Sequence, residues 1–586
     1  MFFYLAGCGR GDDTIKKEPV ANEKLGFQDR QKHSFIVAFK EVVYQPVYRE
    51  DVTGHFSLWQ SLVDHIPLFH QLEVTPLVAL NLASKKITLL GQKEDLARPR
   101  SMMLQWFELE KRKPAFISRV DFSSEKKARE TIKLWKDDDL IWYAEPNFIS
   151  RIDVGFADHA AKINEIKGNS SAKSRFIERI DLDAAFAFLA NQTIEEAPII
   201  AVLDSGVDYF HPALQNRILI SEAGAGDIGC PGGVYGCNTT ASFKRVLGDG
   251  AVHPASLSGP NQPCAPNPYC HHGTHVAGIV AAEPQTDENY LGVCPICKIL
   301  PVKIVGGSTD RGESESGILD SSIIAGLTYV TRFRKDGEVA VRVINASFGK
   351  FQRSKTIELL ISALRHLGRG TLIVAAAGNE DTMLRQYPAA FSDVLAVANV
   401  NAASGLKDPS SNFGPWVDLS SPGAGECTNG GIRSAVPGGG SECFTGTSMA
   451  APVVAGVAGL LLAMDPSMTY DELRQRILST VDPIIYDVPS NEPYHIEVDG
   501  QTVPVPLLGN GVVNASNAVT NNVPENQPAL LDFTDRVTSS CGTISSPIAA
   551  GNLSLFLMLS PLWLFWSLGM KRDQAPVQKA AERRPS

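Results

Sequence analysis

The stretch Phe444-Thr445-Gly446-Thr447-Ser448-Met449-Ala450-Ala451-Pro452 runs straight into an apolar segment covering residues 453–464. That segment is too long for a strand and predicts a buried helix. Ser448 then stands at the helix N-terminus, where unpaired N–H groups and the helix dipole favour negative charge. Such a serine can act as an N-cap and nothing more. It can also attack a carbonyl and leave the resulting oxyanion in a favourable field. Pro452 gives up one early helical hydrogen bond, a tolerable loss in a helix held by packing.

Three upstream segments decide between those readings. Residues 197–203 (Ala-Pro-Ile-Ile-Ala-Val-Leu) have the unbroken apolar pattern of a buried parallel strand and end in Asp204-Ser205-Gly206. Cys270-His271-His272-Gly273-Thr274-His275 leads into a small-residue helix. Residues 371–377 form a second buried strand that ends in Gly378-Asn379. A serine hydroxyl needs an adjacent base to be a nucleophile at neutral pH. Imidazole titrates where it can take that proton and return it. A buried carboxylate fixes the tautomer and stabilises the imidazolium.

Asp204-Ser205-Gly206, His272-Gly273-Thr274-His275, Ala376-Ala377-Gly378-Asn379 and Gly446-Thr447-Ser448-Met449-Ala450-Ala451-Pro452 together resemble the motifs of the subtilisin-like serine proteases, or subtilases. The Asp, His, Ser chain order is the one known for that group. The resemblance covers residues 181–520 and implies an α/β peptidase domain, three-layer α/β/α with a mainly parallel sheet. It implies a serine endopeptidase that hydrolyses polypeptide substrates through an acyl-enzyme, with no cofactor for the chemistry and no catalytic metal. Ser448 would be the nucleophile, His272 the general base and then acid, Asp204 the orienting group and Asn379 the side-chain donor of the oxyanion hole. His275, one turn later, is expected to be a packed structural histidine, and His271 a loop residue. Ser347-Phe348-Gly349 matches the segment that pairs with substrate backbone, and Ser316-Gly317 the opposing strand. Together they would clamp an extended peptide by strand addition. Gln386 precedes Tyr387-Pro388 where the family often has a tiny residue. Either it shortens the substrate pocket and makes it polar, or it points away from the cleft. Residues 283–290 follow the histidine helix where many subtilases bind structural calcium. They are either oxygen donors for that ion or a solvated acidic loop. Two rival readings are a catalytically silent binding protein on the same fold and a processing protease dedicated to one surface protein.

Residues 27–150 read as a smaller α+β domain. Residues 33–44 suggest a strand, 56–64 a short helix, 77–90 a hairpin and 102–110 a further strand. Ala128, Ile132 and Trp135 recur at helical spacing. Residues 140–147 (Leu-Ile-Trp-Tyr-Ala-Glu-Pro-Asn) resemble the closing strand of subtilase propeptides. The resemblance implies a zymogen, with this domain as its intramolecular inhibitor. Residues 151–180 are expected to be a processing linker cut between about Ser150 and Arg179.

The chain has 586 residues and a net charge of −10, which argues against nucleic acid as a main partner. Eight of its ten cysteines are close in sequence as Cys230–Cys237, Cys264–Cys270, Cys294–Cys297 and Cys427–Cys443. Four local disulfides suit an oxidising compartment. Cys294-Pro295-Ile296-Cys297 also has the spacing of a zinc half-site, but no second Cys-x-x-Cys completes it.

Both ends point toward a membrane. Leu5-Ala6-Gly7-Cys8 resembles a bacterial lipobox, which makes Cys8 a lipidation candidate and residues 1–26 a truncated signal and linker. Only seven residues precede Cys8 and none is basic, whereas a signal peptide has a basic start. Either the true start lies upstream or the match is accidental. After a linker at 521–547, residues 548–570 are apolar enough to span a bilayer of ~30 Å. The basic tail 571–586 would lie in the cytoplasm by the positive-inside rule. Cys541-Gly542, the apolar span and the tail resemble a bacterial sorting signal, with a plain transmembrane helix as the alternative. The expectation is a protein of the bacterial cell envelope with its catalytic domain outside the cytoplasm.

Overall fold

The computed structural model describes residues 30–40, 73–81, 86–88, 114–122, 125–135 and 141–152. It also describes 175–524 apart from 195, 221–235, 241–267, 285–289, 307–316, 332, 336–337, 428–429, 484, 486–493 and 499–500. The helix expected at 56–64, the strand at 102–110, Cys8 and everything after 524 therefore lie outside the described residues.

The N-terminal part contains β1 (Arg30–Lys40), β2 (Glu73–Asn81), β3 (Lys86–Thr88), β4 (Pro114–Asp121), α1 (Glu125–Trp135) and β5 (Ile141–Ser150). Its strands lie antiparallel in the order β3-β2-β4-β1-β5. Central β1 buries Ile36, Val37 and Ala38, and α1 turns Ala128 inward. β4 is not evident from the sequence, because its apolar residues follow a basic run and begin at a proline.

α2 (Arg175–Arg179) and α3 (Leu182–Leu189) lead into β6 (Ile199–Asp204). β7 (Cys237–Asn238), α4 (His272–Ala281), β8 (Lys298–Lys303), β9 (Val305–Gly306), β10 (Gly317–Leu319) and α5 (Asp320–Val330) follow. Next come β11 (Val341–Ala346), α6 (Lys355–His366), β12 (Leu372–Ala376), β13 (Val394–Asn401) and β14 (Leu419–Ala424). β15 (Ile432–Val436) and β16 (Gly440–Phe444) then precede α7 (Thr447–Met464) and α8 (Tyr470–Ser479). A seven-stranded parallel sheet has the order β14-β13-β12-β11-β6-β8-β7. β6 up to Asp204 and β12 are continuous apolar runs because both faces are covered. Ile200 and Val202 of β6 pack with Val276 of α4, Val453 of α7 and Leu473 of α8. Ala201 and Leu203 face the other way, toward Ile323 of α5 and Ile357 of α6. The result is three layers.

α7 is apolar enough to cross a membrane by length and composition, but 94% of it is buried in this core. The end of the segment expected to be a processing linker instead forms α2, whose Phe176 joins Ile180 and Leu182 in the same core. β5 joins the two parts. It pairs with β1 on one edge and, through Ile149 and Ser150, with Leu319 and Ile318 of β10 on the other.

Candidate active site

Carboxyl edges of parallel sheets are where functional side chains gather, and four of them meet here. Asp204 ends β6, Ser347 follows β11, Asn379 lies just past β12, and Ser448 stands in the first turn of α7. His272 opens α4, with its Nδ1 2.9 Å from each carboxylate oxygen of Asp204. Both groups are buried. α4 comes this close because position 273 has no side chain. A Cβ there would stand 2.3 Å from the Gly206 carbonyl oxygen and 3.0 Å from Asp204 Oδ1. The Gly273 N–H donates to Ser205 Oγ at 3.0 Å and fixes the approach.

The hydrogen-bonded relay expected from the sequence is complete on its Asp–His side and open on its His–Ser side. Ser448 Oγ donates to the Ser347 carbonyl at 3.3 Å. His272 Nε2 is buried with no hydrogen-bond partner among the described residues. The hydroxyl has found another acceptor. A turn about its Cα–Cβ bond moves Oγ between staggered positions, and catalytic hydrogen bonds commonly tighten only with substrate in place. With Nδ1–H directed at Asp204, neutral imidazole presents Nε2 as an acceptor.

Two residues whose roles the sequence did not announce hold this corner. Asn345 Nδ2 donates to Ser347 Oγ, which donates to the Ser448 carbonyl, each at 2.9 Å, tying β11 to α7. Thr447 donates to Asn379 Oδ1 from its N–H at 2.9 Å and its hydroxyl at 3.1 Å. The same hydroxyl accepts from the Gly378 N–H at 3.0 Å. Asn379 is thereby oriented with Nδ2 as its donor end. Gly446 makes the turn at φ 140°, a conformation that favours glycine.

His275 is packed, as its spacing implied. Its Nε2 is 3.1 Å from the carbonyls of Ile432 and Glu442, and its ring stacks on Phe444 at 4.4 Å. Burial, helped by nearby His272, pushes its pKa down to about 3. His271 is not a loop residue. It closes a 3₁₀ turn, Pro268–His271, and its Nδ1 lies 3.1 Å from Glu442 Oε2.

The segments expected to clamp a peptide hold the chain's own backbone. Arg151 N–H donates to the Gly349 carbonyl at 2.9 Å, and Gly349 N–H returns a bond to Arg151 at 3.0 Å. Residues 149–151 thus run between β10, which contains Gly317, and the Ser347-Phe348-Gly349 segment. Ser316 lies outside the described residues. Two side chains of β5 meet helix N-termini. Glu145 accepts from the N–H groups of Lys355 and Thr356 and from Ser354 Oγ at 2.9–3.1 Å. Asn147 Oδ1 accepts from the Ser321 N–H at 3.1 Å.

Gln386 is buried against Gly349 and Gly378. Its Oε1 would be 2.4 Å from a Cβ at position 349 and 2.2 Å from one at position 378. Its Nε2 donates to Glu380 Oε1 at 2.9 Å, and Glu380 Oε2 accepts from Asn412 at 2.6 Å.

Disulfides join Cys294 to Cys297 and Cys427 to Cys443. Cys237 and Cys270 are also disulfide-bonded, while Cys230 and Cys264 lie outside the described residues. Glu283, a candidate calcium donor, is taken by Arg217 at 2.7 Å and Asn216 at 3.0 Å. Residues 285–289 of that segment lie outside the described residues.

Residues 195–523 match the subtilase family of peptidases. The chain is 32% identical over 304 residues to a thermostable alkaline protease of Halalkalibacterium halodurans, covering 49% of this chain and 73% of that one. It is 31% identical over 282 residues to the halolysin-like extracellular serine protease Nep of Natrialba magadii, covering 48% and 43%. Against a subtilisin of Bacillus pumilus it is 32% identical over 288 residues, covering 48% and 82%.

Proposed function

The chain belongs to the subtilase family and is a subtilisin-like serine endopeptidase, and from that premise we propose that Ser448, His272 and Asp204 are its catalytic residues. The observation that carries this reading is the buried Asp204–His272 pair, its Nε2 without a partner among the described residues, beside a serine at a helix N-terminus. Ser448 Oγ turns from Ser347 toward His272 Nε2, which takes its proton as the Oγ–carbon bond forms. Asp204 stabilises the imidazolium. The oxyanion is met by Asn379 Nδ2 and by the Ser448 N–H at the mouth of α7. His272 then protonates the leaving amine, and water releases the acyl group by the reverse route. A fluorophosphonate probe should label Ser448 once the protein is active, and Ser448→Ala should lose about 10⁴-fold or more in kcat. Absence of labelling in a folded, processed protein would favour the silent scaffold. Digestion of a denatured protein mixture separates a broad protease from a dedicated processing enzyme.

The segment ending in β5 is proposed to be the inhibitory propeptide, supported by its antiparallel seat between β10 and Gly349. The proposed maturation bond lies after this seat, between about Ser150 and Arg179, and N-terminal sequencing of the mature enzyme should find its first residue in that interval. Gln386, bonded to Glu380 between the two walls, makes the pocket before the scissile bond short and polar. A cleavage profile dominated by Phe or Tyr at that position would overturn this.

An exported enzyme is supported by its disulfides. Anchoring through Cys8 or residues 548–570 remains a proposal that fractionation of cells would test. The calcium reading has no support at Glu283, whose carboxylate is already paired.

A further inference from the structure

β5 is well matched to its seat at Glu145 and Asn147 but not at Ser150. Ser150 is buried, and its Oγ has no hydrogen-bond partner among the described residues. It borders a cavity of about 10 Å³ whose walls include Ile323, Phe348, Ile357 and Phe391. That is room for about one water, or for one or two methyl groups. The other polar walls are Lys350, Ser354 and Tyr387, and the first two are engaged elsewhere. Lys350 Nζ is held by Asp320 and stands over the Phe148 ring at 4.8 Å, and Ser354 Oγ donates to Glu145 at 3.1 Å. A buried hydroxyl without a partner disfavours the bound state, and unfilled apolar space forfeits dispersion contacts.

We infer that Ser150 is a built-in weak point of the cleft strand: it underfills an aliphatic subsite, so the chain's own segment holds the cleft less tightly than a peptide with a branched aliphatic residue there would. This rests on the reading of residues 141–152 as the inhibitory segment. Backbone pairing and the contacts of Glu145 and Asn147 give the segment its register. The mismatch at Ser150 sets how readily it leaves after the chain is cut.

The test compares full-length wild type with Ser150→Val and Ser150→Ala, following the onset of activity on a fluorogenic protein substrate and the retention of the cleaved N-terminal fragment. Ser150→Val fills the cavity and removes the lone hydroxyl, and should delay onset by roughly 10-fold with the fragment retained longer. Ser150→Ala only removes the hydroxyl and should fall between. Onset in Ser150→Val as fast as in wild type overturns the inference. Glu145→Ala separates the two levels. If it speeds onset while Ser150→Val changes nothing, the inhibitory reading stands and this inference falls. If Glu145→Ala changes nothing either, the inhibitory reading itself fails. Should Ser150→Val not fold, peptides differing only at the matching position are used on activated wild type. Val over Ser should raise kcat/KM by about 10-fold, and equal values overturn the inference.

Discussion

At position 379 a carboxamide is gripped through its oxygen by Thr447, so only its nitrogen is aimed to donate. Asn379→Leu keeps the bulk and removes the donor. It should lower kcat by about 10²–10³-fold with little change in KM, read by steady-state kinetics on a peptide substrate. His275 makes a different prediction. Unfolded, it titrates near 6.5; folded, it is held to about 3. Folding therefore excludes a proton that the unfolded chain binds between those values. The resulting stability is fully present above pH 6.5 and is lost as pH falls toward 3, by up to about 1.4 kcal/mol per pH unit. Denaturant titrations of His275→Gln should show a flatter decline over that window, since the amide keeps a donor and cannot charge. The meeting of Asp204 with His272 and the place of Ser448 in the first turn of α7 were legible because those residue types and their order are restrictive. Thr447 and Asn345 were not, because their work consists of hydrogen bonds to groups far away in the chain.

Among the elements, strongly patterned ones were the readable ones. The helix after Ser448 and the strands into Asp204 and Asn379 are unbroken apolar runs that only a covered sheet can use. The strand β3 and the helix α1 also fell within their expected windows, while β2 begins four residues before the expected hairpin. β4 and the helix α2 were missed, since a short segment beside charged residues declares itself only through what it packs against. The start of α5 shows an interaction with no local signature. Asp320 is fully buried and bonded to buried Lys350, thirty positions on. Burial lifts the Asp320 pKa to about 6 against the pull of Lys350. Asp320→Asn would leave an ammonium without its counter-charge and should destabilise the fold by about 3–5 kcal/mol in chemical denaturation. Adding Lys350→Met should restore most of that loss.

For the molecule as a whole, covalent closure reinforces the layer that carries the serine. Cys427 and Cys443 close a loop of 16 residues that includes β15 and the approach to α7. Replacing both by Ser should cost about 3 kcal/mol by the loop-entropy estimate, seen as an earlier denaturation midpoint at unchanged pH. The three-layer plan was expected from the resemblance to the subtilases, carried by four short motifs in order. The joining of the two parts was not, because the pairing of β5 with β10 links backbones whose side chains carry no mutual code. That seam has an aftermath. On the processing proposed above, separation along it would leave each side with a raw row of amide and carbonyl groups. The liberated fragment carries its row on a small sheet with no neighbour to cover it, a template for stray strands. Its prompt destruction by the very enzyme it restrained would then safeguard solubility as well as make activation irreversible.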